Sequence, residues 1–439
     1  MKKYIIPSLM GLALALFAVP SVFAHGQQQA SATAKQPVNV TLWDIQTGLN
    51  QTMINTATQK FNQEHPNIHV VAEWFQNNPY KNKLRIALGA GNGPDIFYNW
   101  GGGPLHSFVK AGDAVSLTSY LNSHSSYKNK FPASVWGPVS FGGKVYGVPT
   151  QGMAAELLYY NKQMLDQYGL PQPTTFSNLM ADVKGLRAHG IIPIGVAGKS
   201  EWPEMIWVQY LVDRIGGPSV FNAIANGKPG AWSNPAVIKA LELCQELVKA
   251  HAFEPGFASV NASTSQVEAL IAAKKAAMVA QGDWVYSTFL TDFNSFLKTG
   301  ALAYAPMPAV NASYATQVVG APSGYYSISN TSRHLNADMT YLQGADLNNY
   351  EVHFMIKKLG LVPPVKGVAS LLNTGTPSGA FDGWLFKQIS NAPQVQLYWD
   401  QYLPATTAKV MLTNISEIFL LQETPQQFAA NMNQTLSNS

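Results

Sequence analysis

The sequence predicts an α/β protein with two lobes, and its length, its apolar content and its alternating element patterns support this fold class. The chain has 439 residues, of which 46% are hydrophobic, so it can bury more apolar surface than one small domain contains. Strand and helix patterns alternate between residues 37 and 110. Strands that are separated by single helices are typical of parallel βαβ units with right-handed crossovers.

Hydrophobic periodicity places each element of this first region. Val38, Val40 and Leu42 alternate with polar residues, which predicts a strand, whereas the apolar residues from Met53 to Phe61 recur at helical spacing. The elements predicted in order are a strand over 38–44, a helix over 53–64, a strand over 68–75, a helix over 81–90, a strand over 95–100 and a helix over 105–110. We therefore expect a parallel sheet with a helix after each strand.

Polar and aromatic side chains follow these strands. Asp44 and Gln46 follow the first strand, Asn77 and Asn78 follow the second, and Trp100 follows the third. Ligands of such sheets bind beyond the carboxyl ends of the strands. Carboxylate and amide groups match vicinal hydroxyls, and an indole face can cover the apolar side of a pyranose, so this edge predicts a carbohydrate site. The pattern leaves open a turn or cap role for Asn77 and Asn78.

Composition limits the kinds of molecule that the protein is expected to bind. Charged residues make up 12% of the chain and the formal net charge is +4, so no strong field is available to hold nucleic acid or an anionic membrane. The single cysteine, Cys244, excludes an intrachain disulfide and a multi-cysteine metal site. It lies on the apolar stripe of a helix that Asn234 caps, so we expect it in the core. The sequence predicts a neutral polar partner, with no metal and no cofactor.

The start of the chain predicts export. A short basic segment precedes an apolar run over residues 5–19, and a small-residue cleavage pattern ends at Ala24. Residues 1–24 are therefore predicted to be a signal peptide, and residues 25–36, which are rich in Gln, Ala, Ser and Thr, a flexible leader. No cysteine stands at the cleavage point, so we expect a periplasmic or secreted protein without a lipid anchor.

Short motifs along the mature chain indicate a family. In order they are Gly93-Pro94-Asp95-Ile96-Phe97, Trp100-Gly101-Gly102-Gly103, Lys144-Val145-Tyr146-Gly147-Val148-Pro149, Leu158-Tyr159-Tyr160-Asn161-Lys162, Gly282-Asp283-Trp284 and Pro363-Pro364-Val365. This set resembles extracellular solute-binding protein family 1, the maltose-binding-protein-like sugar receptors of ABC importers.

The resemblance implies a type II periplasmic-binding-protein-like fold, in which crossing hinge segments join two α/β lobes around a ligand cleft. It places one crossing after Pro149, a second near Asp283 and Trp284, and a third after Ser329. The implied division is residues 37–149 and 286–334 for the first lobe, and residues 150–285 and 335–439 for the second.

The resemblance also implies a function and further site residues. The implied protein is an exported monomer that closes on a neutral mono- or oligosaccharide and delivers it to the permease subunits of an ABC transporter, without catalysis. The ligand candidates that it adds are Trp202, Trp232, Asp283, Trp284 and Tyr325.

Two other functions stay open at this point. A secreted hydrolase or lyase would also combine tryptophans with acids, but a retaining hydrolase needs two carboxyl groups about 5–5.5 Å apart. The acids near motif positions are Asp44, Asp95, Glu156 and Asp283, and no pair among them is indicated. A receptor for a non-sugar nutrient is the other alternative, and the tyrosine pairs 159–160 and 325–326 keep an iron ligand in view.

Overall fold

The structure is a computed structural model that describes residues 36–322, 324–372 and 375–437. The predicted signal peptide 1–24, and the predicted leader 25–36 apart from Gln36, lie outside the described residues. No described helix combines the length and the apolar character that crossing a bilayer requires.

The strands and helices follow each other in an alternating order. The strands are β1 Val38–Asp44, β2 Ile68–Trp74, β3 Ile96–Asn99, β4 Ser140–Phe141, β5 Lys144–Val145, β6 Val148–Pro149, β7 Met153–Asn161, β8 Ile192–Gly195, β9 Ala276–Gly282, β10 Leu302–Pro306, β11 Val318–Pro322, β12 Tyr325–Ile328 and β13 Val395–Gln396. The helices are α1 Gly48–Glu64, α2 Asn77–Gly89, α3 Gly102–Ala111, α4 Thr118–Ser123, α5 Ser125–Lys128, α6 Lys162–Gln167, α7 Phe176–Ala188, α8 Trp202–Gly216, α9 Pro218–Ala225, α10 Pro235–Lys249, α11 Gln266–Ala272, α12 Trp284–Thr291, α13 Asn294–Leu297, α14 Leu335–Gly344, α15 Asn349–Phe354, α16 Pro377–Asn391, α17 Trp399–Tyr402, α18 Ala405–Phe419 and α19 Pro425–Ser437. Short 3-10 segments and a π-helical turn, Met355–Leu359, connect several of them.

The first lobe is centred on a sheet with the strand order β2, β1, β3, β12 and β6. Strand β1 pairs in parallel with β2 and β3, and β12 returns antiparallel to β3 and β6. The inward side chains of β1, Val40 and Leu42, are fully buried and share a core with Met53 and Phe61 of α1. The predicted parallel βαβ arrangement is thereby confirmed, because its apolar periodicity decides which faces meet.

The second lobe is centred on a sheet with the strand order β13, β11, β7, β9 and β8, with β10 also paired to β7. Strand β7 runs antiparallel to β9 on one side and to β11 and then β10 on the other. Residues 154–161 of β7 are all buried, which agrees with the nearly continuous apolar run in this strand. Trp232, Trp399 and Cys244 lie in the apolar core of this lobe.

Crossing segments connect the two sheets. Strand β6 belongs to the first sheet and β7 to the second, and the chain returns between β11 and β12. A further passage follows the π-helical turn Met355–Leu359, which packs on α1, and leads to α16, which packs on β11. Backbone hydrogen bonds hold the passages beside one another: the N–H of Thr150 donates to the carbonyl of Gly324 at 3.0 Å, and the N–H of Met153 donates to the carbonyl of Val362 at 2.7 Å.

Sheet membership differs from the predicted lobe ranges after residue 285. Strands β10 and β11 fall in the range 286–334, which was assigned to the first lobe, yet both pair with β7 of the second sheet. Helices α14 and α15 fall in the range 335–439, which was assigned to the second lobe, yet they pack against β1 and α1. Strand partners depend on backbone hydrogen bonds between distant segments, which local periodicity does not encode. The other lobe boundaries stay predictions.

The lobes touch where α3 begins. An added Cβ at Gly102 would lie 1.8 Å from the carbonyl oxygen of Gln401, and one at Gly103 would lie 1.9 Å from that of Leu403. Gln401 and Leu403 belong to the second lobe, in and directly after α17. Two glycines of the predicted Trp-Gly-Gly-Gly motif therefore permit a backbone-to-backbone contact between the lobes.

We expect Gly103→Ala to disturb this contact. The methyl group meets a backbone carbonyl, which cannot rotate away, and overpacking of this kind costs about 1–3 kcal/mol of the free energy of unfolding. Urea titration of the ligand-free protein measures this loss. Gly89→Ala is the matched control, because Gly89 is also helical and its added Cβ meets nothing within 4 Å. Equal effects of the two substitutions would contradict the role assigned to Gly103.

Candidate ligand cleft between the lobes

A cleft of about 540 Å³ lies beyond the carboxyl ends of the first sheet, where this edge faces the second lobe. Six of the predicted ligand residues line it, namely Gln46, Asn77, Trp100, Trp202, Asp283 and Trp284. A larger cavity of about 1130 Å³ lies elsewhere between the lobes. The described lining of that larger cavity includes neither a tryptophan nor a carboxylate, so the smaller cleft is the stronger candidate.

The loop after β1 is held by a buried carboxylate. Asp44 is fully buried, its Oδ2 accepts a hydrogen bond from the hydroxyl of Tyr326, and its Oδ1 accepts from the backbone N–H of Ile45 and of Gln46. Burial raises the pKa of Asp44, and these hydrogen bonds oppose the rise. Asp44 therefore fixes the turn and does not line the cleft, whereas Gln46 does. A ligand contact of Asp44 stays a prediction.

Trp100 forms the aromatic wall on the first lobe. It follows β3, lines the cleft and is partly buried. Tyr98 meets its ring edge-on with the centroids 5.2 Å apart, and Tyr80 does so at 6.3 Å. The hydroxyl of Tyr80 donates to the carbonyl of Tyr98 at 2.6 Å. These contacts fix the plane of the indole, which a stacking platform requires.

The two asparagines after β2 differ in whether they line the cleft. Asn77 lies at the start of α2 and lines the cleft. Asn78 is exposed, does not line the cleft, and its amide donates to the carbonyl of Ser200 at 3.5 Å. The side chain of Asn78 thus contacts the second lobe, and the ligand contact predicted for it stays a prediction.

A row of aromatic rings forms the opposite wall. The rings of Trp202 and Trp284 lie 5.9 Å apart at 66°, and the rings of Trp284 and Tyr398 lie 6.0 Å apart at 52°. All three residues line the cleft. Trp202 begins α8 directly after Glu201, which has a φ of 63°, a left-handed conformation that is costly for a side chain other than glycine. This strained residue thus stands directly before a residue that lines the cleft.

Buried polar atoms converge on the cleft without a hydrogen-bond partner among the described residues. They are Oδ1 of Asp283, Nε2 of Gln151, Oε1 of Gln401, Oδ1 of Asn77 and Oδ1 of Asn50. A buried polar atom without a partner costs about 1–3 kcal/mol. Four of these five atoms are acceptors, so a ligand that donates several hydrogen bonds would remove most of that cost.

Two acids of the cleft carry raised pKa values. Burial raises the pKa of Asp283 to about 8, against backbone hydrogen bonds that lower it, and burial raises the pKa of Glu268 to about 7. The pKa values of both carboxyl groups therefore lie within the neutral range. In the described part of the chain, no group of three or more His, Cys, Asp and Glu side chains could hold a metal ion.

Known proteins of one family share this architecture. The sequence profile of the bacterial extracellular solute-binding proteins matches residues 46–343 of this chain. The chain belongs to this family. The predicted resemblance is thereby confirmed.

The relatives of this solute-binding protein include sugar receptors. It is 30% identical to the glucose-binding protein GlcS of Saccharolobus solfataricus over 55% of this chain, and 26% identical to the melibiose/raffinose/stachyose-binding protein MelE of Bacillus subtilis over 68% of this chain. The matched segments span 43% of the length of GlcS and 67% of the length of MelE.

Solved structures confirm the predicted type II fold. A protein from a study of xylan utilization by Caldanaerobius polysaccharolyticus superposes with a TM-score of 0.82 at 27% identity, covering 91% of this chain and 100% of that chain. A chitin oligosaccharide binding protein also gives a TM-score of 0.82, at 20% identity, over 92% of this chain and 98% of that one. The members of this family and the solved neighbours are binding proteins.

Two of the predicted ligand residues of this solute-binding protein belong to the core instead. Trp232 is fully buried, with its ring 5.7 Å from that of Trp399 and 5.8 Å from that of Phe428. Tyr325 is fully buried in β12, and its hydroxyl donates to the carbonyl of Val135 at 2.8 Å. Both were predicted from the family resemblance, which does not show whether an aromatic ring faces the cleft or the core.

Several cleft residues were missed by sequence reasoning. They are Lys81, Gln151, Glu268, Tyr398, Asp400 and Gln401. Lys81 lies one helical turn after Asn77, so helical spacing could have identified it. The residues 398–401 enter from the far end of the chain, and no local pattern connects them to the first sheet.

We expect Trp232→Ala to lower the free energy of unfolding of the ligand-free protein by about 3–5 kcal/mol, because it leaves a cavity in a packed core. Trp202→Ala should cost less, since Trp202 is only partly buried at the cleft. Urea titration of both variants provides the comparison. A larger loss from Trp202→Ala would show that the two residues have been assigned the wrong roles.

Proposed function

We propose that this chain is the exported substrate-binding protein of an ABC transporter, and that it binds a neutral sugar of di- or oligosaccharide size in the cleft. The observation that carries the proposal is the pairing of Trp100 on one lobe with Trp202 and Trp284 on the other, around polar atoms that need partners. Indole faces cover the C–H surfaces of sugar rings, and hydroxyls supply the missing hydrogen bonds. The sugar-binding relatives support the same assignment.

The mechanism is hinge closure. A sugar that stacks first on one lobe gains contacts from the other when the crossing segments bend, and only a ligand that contacts both lobes shifts the equilibrium toward the closed form. The closed form is the one that the membrane permease receives. The protein acts as a periplasmic or secreted monomer and needs neither a cofactor nor a metal for this step.

Binding without turnover is part of the proposal. The acids that line the cleft are Glu268, Asp283, Asp292 and Asp400, and the proposal assigns to none of them the acid or nucleophile role of a retaining pair. Stachyose and xylo-oligosaccharides incubated with the pure protein should remain intact by chromatography. Product formation that tracks the pure protein would favour the hydrolase alternative.

A thermal-shift screen tests the sugar assignment. At least one neutral di- to tetrasaccharide should raise the melting temperature of the mature protein, because a ligand at about 100 times its Kd stabilises the folded state by about 2.7 kcal/mol. Amino acids, polyamines and ferric citrate serve as controls and should produce no shift. A rise in melting temperature with ferric citrate alone would contradict the sugar assignment.

Trp284→Ala should weaken the binding of the sugar found in that screen by about 1–3 kcal/mol, because it removes an aromatic contact and admits water. Trp384→Ala is the matched control: Trp384 is also partly buried, packs on Tyr304 at 4.8 Å and does not line the cleft. Isothermal titration calorimetry measures both affinities. Equal affinity of the wild type and the Trp284→Ala variant for the sugar would show that Trp284 does not contact it.

Affinity should also depend on pH through Asp283. The pKa of this group in the free protein is about 8, and a sugar hydroxyl that donates to Oδ1 favours the carboxylate, so the pKa falls in the complex. Binding then releases a proton, and the affinity rises with pH up to about 8 and levels off above it. Calorimetry between pH 6 and pH 9 should show a flatter profile for Asp283→Asn. An affinity that falls over this range would contradict the predicted hydrogen bond.

A further inference from the structure

Lys81 reaches across the cleft from the first lobe to the second. It lies in α2, and its Nζ is 3.4 Å from Oδ2 of Asp400 in α17 and 4.8 Å from the ring centroid of Trp100. One ammonium group thus contacts the aromatic wall of its own lobe and a carboxylate of the other lobe at the same time. We propose that Lys81 is a positioning residue that couples the two walls of the cleft, a role that rests on the proposed sugar-binding function.

The charged residues that line the cleft explain why the ion pair between Lys81 and Asp400 matters. Among the described residues that line the cleft, Lys81 is the only lysine or arginine, whereas the acids are Glu268, Asp283, Asp292 and Asp400. The side chain of Asp400 is 8% exposed and that of Lys81 is 39% exposed. A nearly buried carboxylate needs a counter-charge, and in this structure the counter-charge comes from the opposite lobe. The ion pair therefore favours the arrangement in which the lobes approach.

Two further contacts show that the pair lies within an interface between the lobes. Asn78, one helical turn before Lys81 on α2, reaches the carbonyl of Ser200 in the second lobe. The glycines at 102 and 103 meet the carbonyls of residues 401 and 403, directly after Asp400. The helix that carries Lys81 thus has a second contact with the other lobe, and the segment that carries Asp400 has a further contact with the first lobe through α3.

This position has a consequence for the ligand. A sugar in the cleft would lie near both Trp100 and the ammonium of Lys81, since both residues line the cleft and the ammonium is already paired with the second lobe. The remaining N–H groups of Lys81 can donate to a ring or hydroxyl oxygen while the contact with Asp400 persists. Lys81 thereby links the binding of a sugar at Trp100 to the approach of the second lobe, which carries Asp400.

The test measures the distance between the lobes in the ligand-free protein. Nitroxide labels on Lys60→Cys in α1 and Lys239→Cys in α10 report this distance by double electron–electron resonance, since both lysine side chains are exposed. The native Cys244 is fully buried, so the labels attach to the introduced cysteines. Lys81→Met should reduce the population of the short distance about 1.5- to 5-fold, the range that a partly exposed ion pair supports.

Lys83→Met is the matched control. Lys83 lies on the same helix and its Nζ covers Trp43 at 4.7 Å and Phe75 at 4.3 Å, but it does not line the cleft. This variant changes the net charge equally and should leave the distances unchanged. Raising the NaCl concentration from about 50 mM to about 500 mM should shift the wild type toward the Lys81→Met distribution and leave that variant unaffected.

The charge swap Lys81→Asp with Asp400→Lys should restore the short distance, which a merely structural role of the lysine would not predict. Overlapping distributions for Lys81→Met and Lys83→Met, or a swap that fails to restore the short distance, would overturn the inference. The readout needs no sugar, so a wild type that binds none of the sugars in the screen would refute the proposed function while this measurement still decides the role of Lys81.

Discussion

Hydrogen bonds between the crossing segments are the constraint on which the cleft depends. The N–H of Thr150 binds the carbonyl of Gly324, and the N–H of Met153 binds that of Val362, so separate passages of the chain between the sheets run side by side. Gln151 and Leu361 lie within these passages and form part of the cleft lining. The floor of the cleft is therefore made of the same backbone that joins the lobes, and a change in lobe orientation must pass through it.

The walls of the cleft combine aromatic rings with buried polar groups, and these two kinds of surface need different ligand groups. The aromatic rings gain from covering apolar C–H groups, whereas the carboxyl of Asp283 and the amides beside it lose free energy until a donor reaches them. Burial raises the pKa of this carboxyl to about 8, so its charge depends on what contacts it. A sugar has an apolar C–H face for the rings and hydroxyl groups for the carboxyl and the amides. This is the chemical basis for preferring a sugar over an ion or an amino acid.

The first wall could be predicted from the sequence because each of its residues follows a strand of a parallel sheet. That rule selected Gln46, Asn77 and Trp100, which line the cleft. It also selected Asp44, which holds the loop, because the rule gives the edge of the sheet but not the direction in which a side chain turns. The second wall depended on family resemblance, which found Trp202 and Trp284 but also selected Trp232. Tyr398 and Gln401 come from a segment that only long-range packing brings to the site.

The contact of Gly102 and Gly103 with residues 401–403 has a consequence for how this receptor can change. Because the atoms nearest to the two glycines are backbone atoms of residues 401–404, this approach does not depend on the identity of the side chain at residue 401. A substitution of Gln401 thus changes the lining of the cleft while the backbone contact with Gly102 persists. New ligand preferences can evolve at such a position while this contact between the lobes is inherited unchanged.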